Sequence, residues 1–295
     1  MFGFGLIELL VLPVLALAVA VLVGVMPRET VPAGRAERAV GRVRLLGLVL
    51  AAAAGSWVLL EPTPLDRGLG SAAVVAPVVF GLVVLASVLL AEFVVRPRWA
   101  AGPRTASLTP RRLRDQLPLR LVRLLVALTV AGVLLCLYAL ITASPDDLGR
   151  AGRSLSAACS TGMTSARGPY PGSFYVLPWL IGVAAAGVLG WLACLRITRR
   201  TLAGDTAETD RHRQVSATTV VSAVGLVVAT PLAGIAFFAG TALLGHDCPE
   251  TGWRVVGLAA LVLCVAAVGS VLVFLIALLV PGPVSADPRN RPARV

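Results

Sequence analysis

The chain has 295 residues, 57% of them hydrophobic and 14% charged, with a mean hydropathy of +0.88, a balance that excludes an ordinary soluble domain and points to lipid as solvent. Its formal charge of +11 comes with 26 basic residues that are all Arg and lie in short segments between apolar runs, which argues against a nucleic-acid surface. Without Lys, a Walker A phosphate loop, a pyridoxal Schiff base and a Ser/Lys hydrolase are also excluded.

Seven apolar runs predict an all-α, polytopic transmembrane helix bundle, because backbone facing lipid has to satisfy its own hydrogen bonds. The first run, residues 4–25, has no basic segment before it and several Arg after it. It therefore reads as an uncleaved anchor with the N-terminus outside, in preference to a signal peptide. It carries Glu8 about one turn from its start, where a carboxyl could snorkel to the interface, pair with an Arg of another helix, or take up a proton.

The second run, residues 43–60, is the shortest and needs Arg44 and Glu61 to reach toward the headgroups from its ends. The third, residues 71–95, holds Glu92 four positions before Arg96, the helical spacing of an interfacial ion pair. Between the third run and the fourth, residues 124–143, Thr109-Pro110-Arg111-Arg112-Leu113-Arg114 reads as a short capped helix on anionic headgroups or as a simple stop-transfer charge cluster. Residues 145–172 form the longest loop of the opposite side.

The fifth run, residues 174–195, repeats small residues at intervals of four, Gly182, Ala186, Gly190 and Cys194. The sixth, residues 218–244, does so with Gly225, Ala229 and Ala233. Such stripes permit close approach of helix backbones within a bundle. The seventh run covers residues 255–280, and the Pro/Arg-rich segment 281–295 is expected to be a disordered tail.

Arg counting sets the orientation. Loops 26–42, 96–120 and 196–214, their flanks and the tail hold 21 of the 26 Arg, which predicts that they are cytoplasmic and that the C-terminus is inside. Only Arg67, Arg150, Arg153, Arg167 and Arg254 fall on the other side. The tryptophans fit two interfaces, with Trp57, Trp179 and Trp253 near one set of span ends and Trp99 and Trp191 near the other.

No arrangement of catalytic residues is legible: there is no His-Glu-x-x-His, no Gly-x-Ser-x-Gly and no Asp inside a span, and His212 and His246 fall on opposite faces. His246-Asp247-Cys248 with Glu250 resembles a metal cluster in residue types, but neighbours in a short turn rarely converge on one ion. No catalytic, cofactor or metal site is therefore expected.

The segment from Gly168 to Tyr175, Gly-Pro-Tyr-Pro-Gly-Ser-Phe-Tyr, resembles uncharacterised multi-pass integral membrane proteins of GC-rich bacteria, a source that the Arg, Ala, Val, Leu and Gly usage also suggests. The resemblance implies a multi-pass membrane fold and no activity. The expected role is a non-enzymatic accessory or scaffolding component of the bacterial cell membrane. Anionic lipid headgroups would meet its basic loops, and a membrane protein is its possible partner. The alternatives are a transporter or permease subunit, which needs a polar path through the bundle, and an intramembrane enzyme.

Of the five cysteines, Cys136, Cys194 and Cys264 fall within spans, while Cys159 and Cys248 fall in two loops assigned to the oxidising side. A Cys159–Cys248 disulfide is predicted, with two free thiols as the alternative if the loops do not bring the Cα atoms within about 7 Å.

Overall fold

The computed structural model describes residues 35–60, 71–94, 117–159, 162–199, 206–248 and 251–280. Its elements in chain order are α1 (Arg35–Leu60), α2 (Ser71–Val94), α3 (Leu119–Thr142), β1 (Leu155–Ala158), β2 (Thr164–Arg167), α4 (Ser173–Arg199), α5 (Thr206–Leu244) and α6 (Thr251–Leu279). Five of these helices, α2 to α6, are long and apolar enough to cross a membrane. In α1 the apolar part is Leu45–Leu60. Sixteen residues span about 24 Å, short of a hydrocarbon core of about 30 Å. The first run, Glu8 and the tail lie outside the described residues, as does most of the 96–120 loop with its short basic segment.

Helix α5 is the hub, packed against α2, α3, α4 and α6, while α1 packs on α2. Small residues decide each approach. A Cβ added at Gly81 of α2 would stand 2.7 Å from the Val227 Cα of α5, so there the two backbones nearly touch. Gly190 of α4 faces Val224 of α5, and Gly225 of α5 receives the Phe274 ring of α6, each with room for no more than hydrogen. Gly182 of α4 abuts Val78 of α2. Ala186 and Ala229 are fully buried, and Ala233 packs against the core from a partly buried position. The two stripes therefore serve several interfaces at once: Gly182 turns to α2, Gly190 to α5 and Gly225 to α6.

The outer helices present large apolar side chains outward, among them Ile141 at 84%, Val262 at 70% and Val265 at 73% exposure. A soluble protein does not leave such a surface wet, and the long apolar helices with this outward face are those of an integral membrane protein in length and composition.

Three departures from the sequence reading have physical causes. The loop 145–172 contains an antiparallel β-hairpin, so the all-α description gains a two-stranded sheet, with Leu155 opposite Arg167 and Ala158 opposite Thr164. Helices run past the apolar runs into flanking polar sequence: α3 starts at Leu119, and α5 starts at Thr206 inside the expected 196–214 loop. Helix propensity and backbone hydrogen bonding do not stop where lipid does, and Arg213, assigned to that loop, is only 2% exposed. Third, Trp179 is not an interfacial anchor. It is fully buried, its ring fills space left by Gly132 of α3, and its indole N–H donates to the Val228 carbonyl at 3.2 Å. The bond ties α4 to the α5 backbone one residue from Val227, whose carbonyl Pro231 leaves without its i→i−4 N–H donor. By contrast, Trp57 and Trp191 are 66% and 59% exposed, as a belt residue should be.

Candidate functional site

The apolar part of α5, Arg213–Leu244, has 32 residues and is about 48 Å long, well over a bilayer core. Its far end cannot all be covered by lipid, and the segment between α3 and α4 covers it. Leu155 and Tyr170 of that segment form a buried cluster with Ala139 of α3 and Ala242 and Leu243 of α5, and Trp253 packs alongside. This cap is the one place where loop residues build a shaped, polar surface on the bundle among the described residues.

Its folding is dictated locally. After α3, Asp146 closes a turn by accepting the amide N–H groups of Leu148 (3.0 Å) and Arg150 (2.8 Å) on Oδ1, and the Arg150 Nε–H on Oδ2 at 2.8 Å. Burial raises the Asp146 carboxyl, but the Arg150 amide and guanidinium and the Leu148 amide outweigh it, and its pKa lies below the ordinary Asp value. Gly149 and Gly152 supply the left-handed backbone here, at φ 74° and 70°. The Ser154 hydroxyl donates to the Pro145 carbonyl at 2.6 Å and draws the two limbs of the loop together. The hairpin then turns at Cys159 to Met163, where the Cys159 N–H donates to the Met163 carbonyl and Gly162 adopts φ 78°.

Below the hairpin, Tyr170 is fully buried, with its hydroxyl 2.6 Å from the Thr142 Oγ1. Burial pushes its phenol up to about 12, against the Thr142 hydrogen bond and with a contribution from Tyr138. The Arg153 guanidinium stacks 3.8 Å over the Phe174 ring at the start of α4, a cation–π contact.

Three links tie the hairpin to the α5–α6 turn. Cys159 and Cys248 form a disulfide with Cα atoms 5.6 Å apart. The Ser165 hydroxyl donates to the Asp247 Oδ2 at 2.9 Å, and the Arg167 guanidinium donates to the Gly245 carbonyl. In the turn His246 is only 3% exposed. Its Nδ1 accepts the Cys248 N–H at 3.3 Å and its ring meets Trp253 edge-on at 5.0 Å.

Of the residues singled out in the sequence, Cys159 and Cys248 are brought together, and Cys248 is thereby committed to sulfur and withdrawn from the metal-like His246-Asp247-Cys248 run. Glu250 lies outside the described residues, and so does the side chain of Glu92, which falls in the last turn of α2. Among the described residues no group of three or more His, Cys, Asp or Glu could hold a metal ion. Sequence reasoning missed Tyr170, Trp179 and the burial of His246. The one available signal was that α5 is too long and apolar to be matched by lipid alone. No family model, curated protein or solved structure matches this chain.

Proposed function

We propose that the chain is a seven-span integral protein of the bacterial cell membrane, N-terminus outside and C-terminus inside, acting as a non-enzymatic accessory or scaffolding component. A membrane protein partner meets the outer cap, and anionic lipid meets the basic cytoplasmic loops. The observation that carries this reading is the cap itself. Its base is fixed to the bundle by a disulfide and two hydrogen bonds, while Met163 and Leu148 stand 66% and 70% exposed on it. A rigid mount that displays apolar side chains beyond the helices suits a protein contact. The disulfide supports the outward assignment, because such bonds persist in oxidising compartments.

Reporter fusions after Gly34, Gly102, Gly204 and Arg294 should report cytoplasmic, and those after Gly68, Gly152 and Gly245 external. An external signal at Gly204 would overturn the orientation. A photocrosslinker at Met163 should give a discrete adduct in intact cells that disappears when Cys159 and Cys248 are both changed to Ser, and its persistence without the disulfide would refute the mounted-cap reading.

One observation favours a transporter as a second reading: the hub helix buries Thr218, Thr219, Ser222 and Thr230, and α6 buries Ser270. Thr219, Thr230 and Ser270 donate to carbonyls of their own helices, whereas the buried Ser222 hydroxyl has no hydrogen-bond partner. Solute flux through proteoliposomes that Ser222→Ala abolishes would replace the accessory reading.

A further inference from the structure

We propose that Arg153 is the phosphate-binding residue of a phospholipid site at the edge of the cap, where the headgroup phosphate meets its guanidinium and the acyl chains lie along the outward face of α4. The inference goes beyond the accessory role and does not depend on which leaflet the cap faces.

The backbone fixes Arg153 before its charge comes into play. Its N–H donates to the Ser144 carbonyl just past α3 at 3.4 Å, and its carbonyl accepts the Tyr170 N–H at 2.9 Å. Gly152, at φ 70°, has no Cβ, and one added there would stand 2.7 Å from the Ser173 nitrogen. The chain at 152–153 therefore lies directly against the first turn of α4, and the guanidinium comes to rest over the Phe174 ring at 3.8 Å.

A ring face attracts the cation but gives its N–H groups no lone-pair acceptor. Nε and Nη1 are buried with no hydrogen-bond partner, in a side chain that is itself only partly buried. The carboxylates described on the cap and the α5–α6 turn are engaged elsewhere or face solvent: Asp146 pairs with Arg150 at 2.8 Å, Asp247 accepts from Ser165, and Asp147 is exposed. Such a guanidinium is stabilised by an anion that meets it in its own plane, and a phosphate does so with two oxygens at once.

Depth makes that phosphate a lipid's. The apolar length of α3 ends at Thr142, two residues before Ser144, and that of α4 begins at Ser173, beside Phe174. The guanidinium thus sits where both helices leave the bilayer. Leu177 and Ile181 follow Phe174 at i+3 and i+7, on the same face of α4, and are 58% and 61% exposed. A cation directly above outward apolar side chains matches an amphiphile with phosphate above and acyl chains below, whereas a free phosphate uses only the upper half.

The test is titration of the full-length oxidised protein in uncharged maltoside micelles with dihexanoyl phosphatidylglycerol, read at the Arg153 Nε–H and at the Ser173 and Phe174 amides by NMR. The wild type should show saturable shifts at all three, which neither inorganic phosphate nor dihexanoylglycerol reproduces at the same concentration. Arg153→Gln, its fold verified by the intact Cys159–Cys248 disulfide, should bind at least about tenfold more weakly by the two amides, for the loss of charge-assisted hydrogen bonds. Arg153→Lys keeps the charge without the planar fork and should fall between the two. Binding by Arg153→Gln within about twofold of wild type overturns the proposal. So does saturation by inorganic phosphate at the same concentration. An Nε–H that stays fixed while lipid is added, because a carboxylate of the chain already holds it, overturns it as well.

Discussion

Replacing both Cys159 and Cys248 by Ser should destabilise the bundle by an amount that the structure lets us bound. By the chain-entropy relation, closing the 89-residue loop between them is worth about 4.6 kcal/mol if every residue is free in the unfolded reference. That reference does not apply in a membrane, where spanning helices persist before they pack. Helices α4 and α5 take up 27 and 39 of the 89 residues, leaving about 23 flexible ones, and the same relation then gives about 3.4 kcal/mol. The assay is reversible unfolding in mixed micelles, with wild type in the presence of reductant as a control for side-chain effects of Ser. Reductant and double substitution should agree, near 3 kcal/mol. A loss below about 1 kcal/mol would refute the reasoning, because it would mean that the cap folds and unfolds independently of the helices it clamps.

Three further outcomes are expected. Trp179→Phe keeps most of the ring but drops the N–H to the Val228 carbonyl, and should cost about 1 kcal/mol, against about 3 to 5 for Trp179→Ala; equal losses in micelle unfolding would mean the hydrogen bond is irrelevant. Gly81→Ala forces its Cβ onto the Val227 backbone and should cost about 1 to 3 kcal/mol, while Gly187→Ala, with nothing within 4 Å of its Cβ, should be neutral or slightly stabilising in the same assay. Because the Asp146 carboxyl is held below its ordinary value, its turn should stay protected at about pH 5 and loosen only below about 3.9, the ordinary Asp value; Asp146→Asn should expose the Leu148 and Arg150 amides at neutral pH, as measured by exchange.

What the sequence by itself determined is the class of structure. Apolar runs at 71–95, 124–143, 174–195, 218–244 and 255–280 leave no choice but helices, since a lipid-facing backbone has no other way to satisfy its donors and acceptors. The pairing of Cys159 with Cys248 was also legible, because the Arg count put just these two cysteines on one side and outside the spans. The tertiary structure decided which helix is the hub, and hydropathy is blind to that: lipid and a neighbouring helix are equally apolar, so α5 at the centre and α6 at the rim read alike. It decided where Trp179 goes, since an indole near a span end suits an interface as well as a gap opposite Gly132, and only the packed helices, which put that gap beside the Val228 carbonyl, select it. It likewise decided that Leu-Ser-Ala-Ala and Thr-Ser-Ala-Arg become paired strands. Neither has strong strand propensity, and the pairing comes from the turn at Gly162 and from the bonds that tie β2 to the α5–α6 turn. The burial of His246 follows from the same contacts, which are made between residues about 80 positions apart and leave no trace in any local pattern.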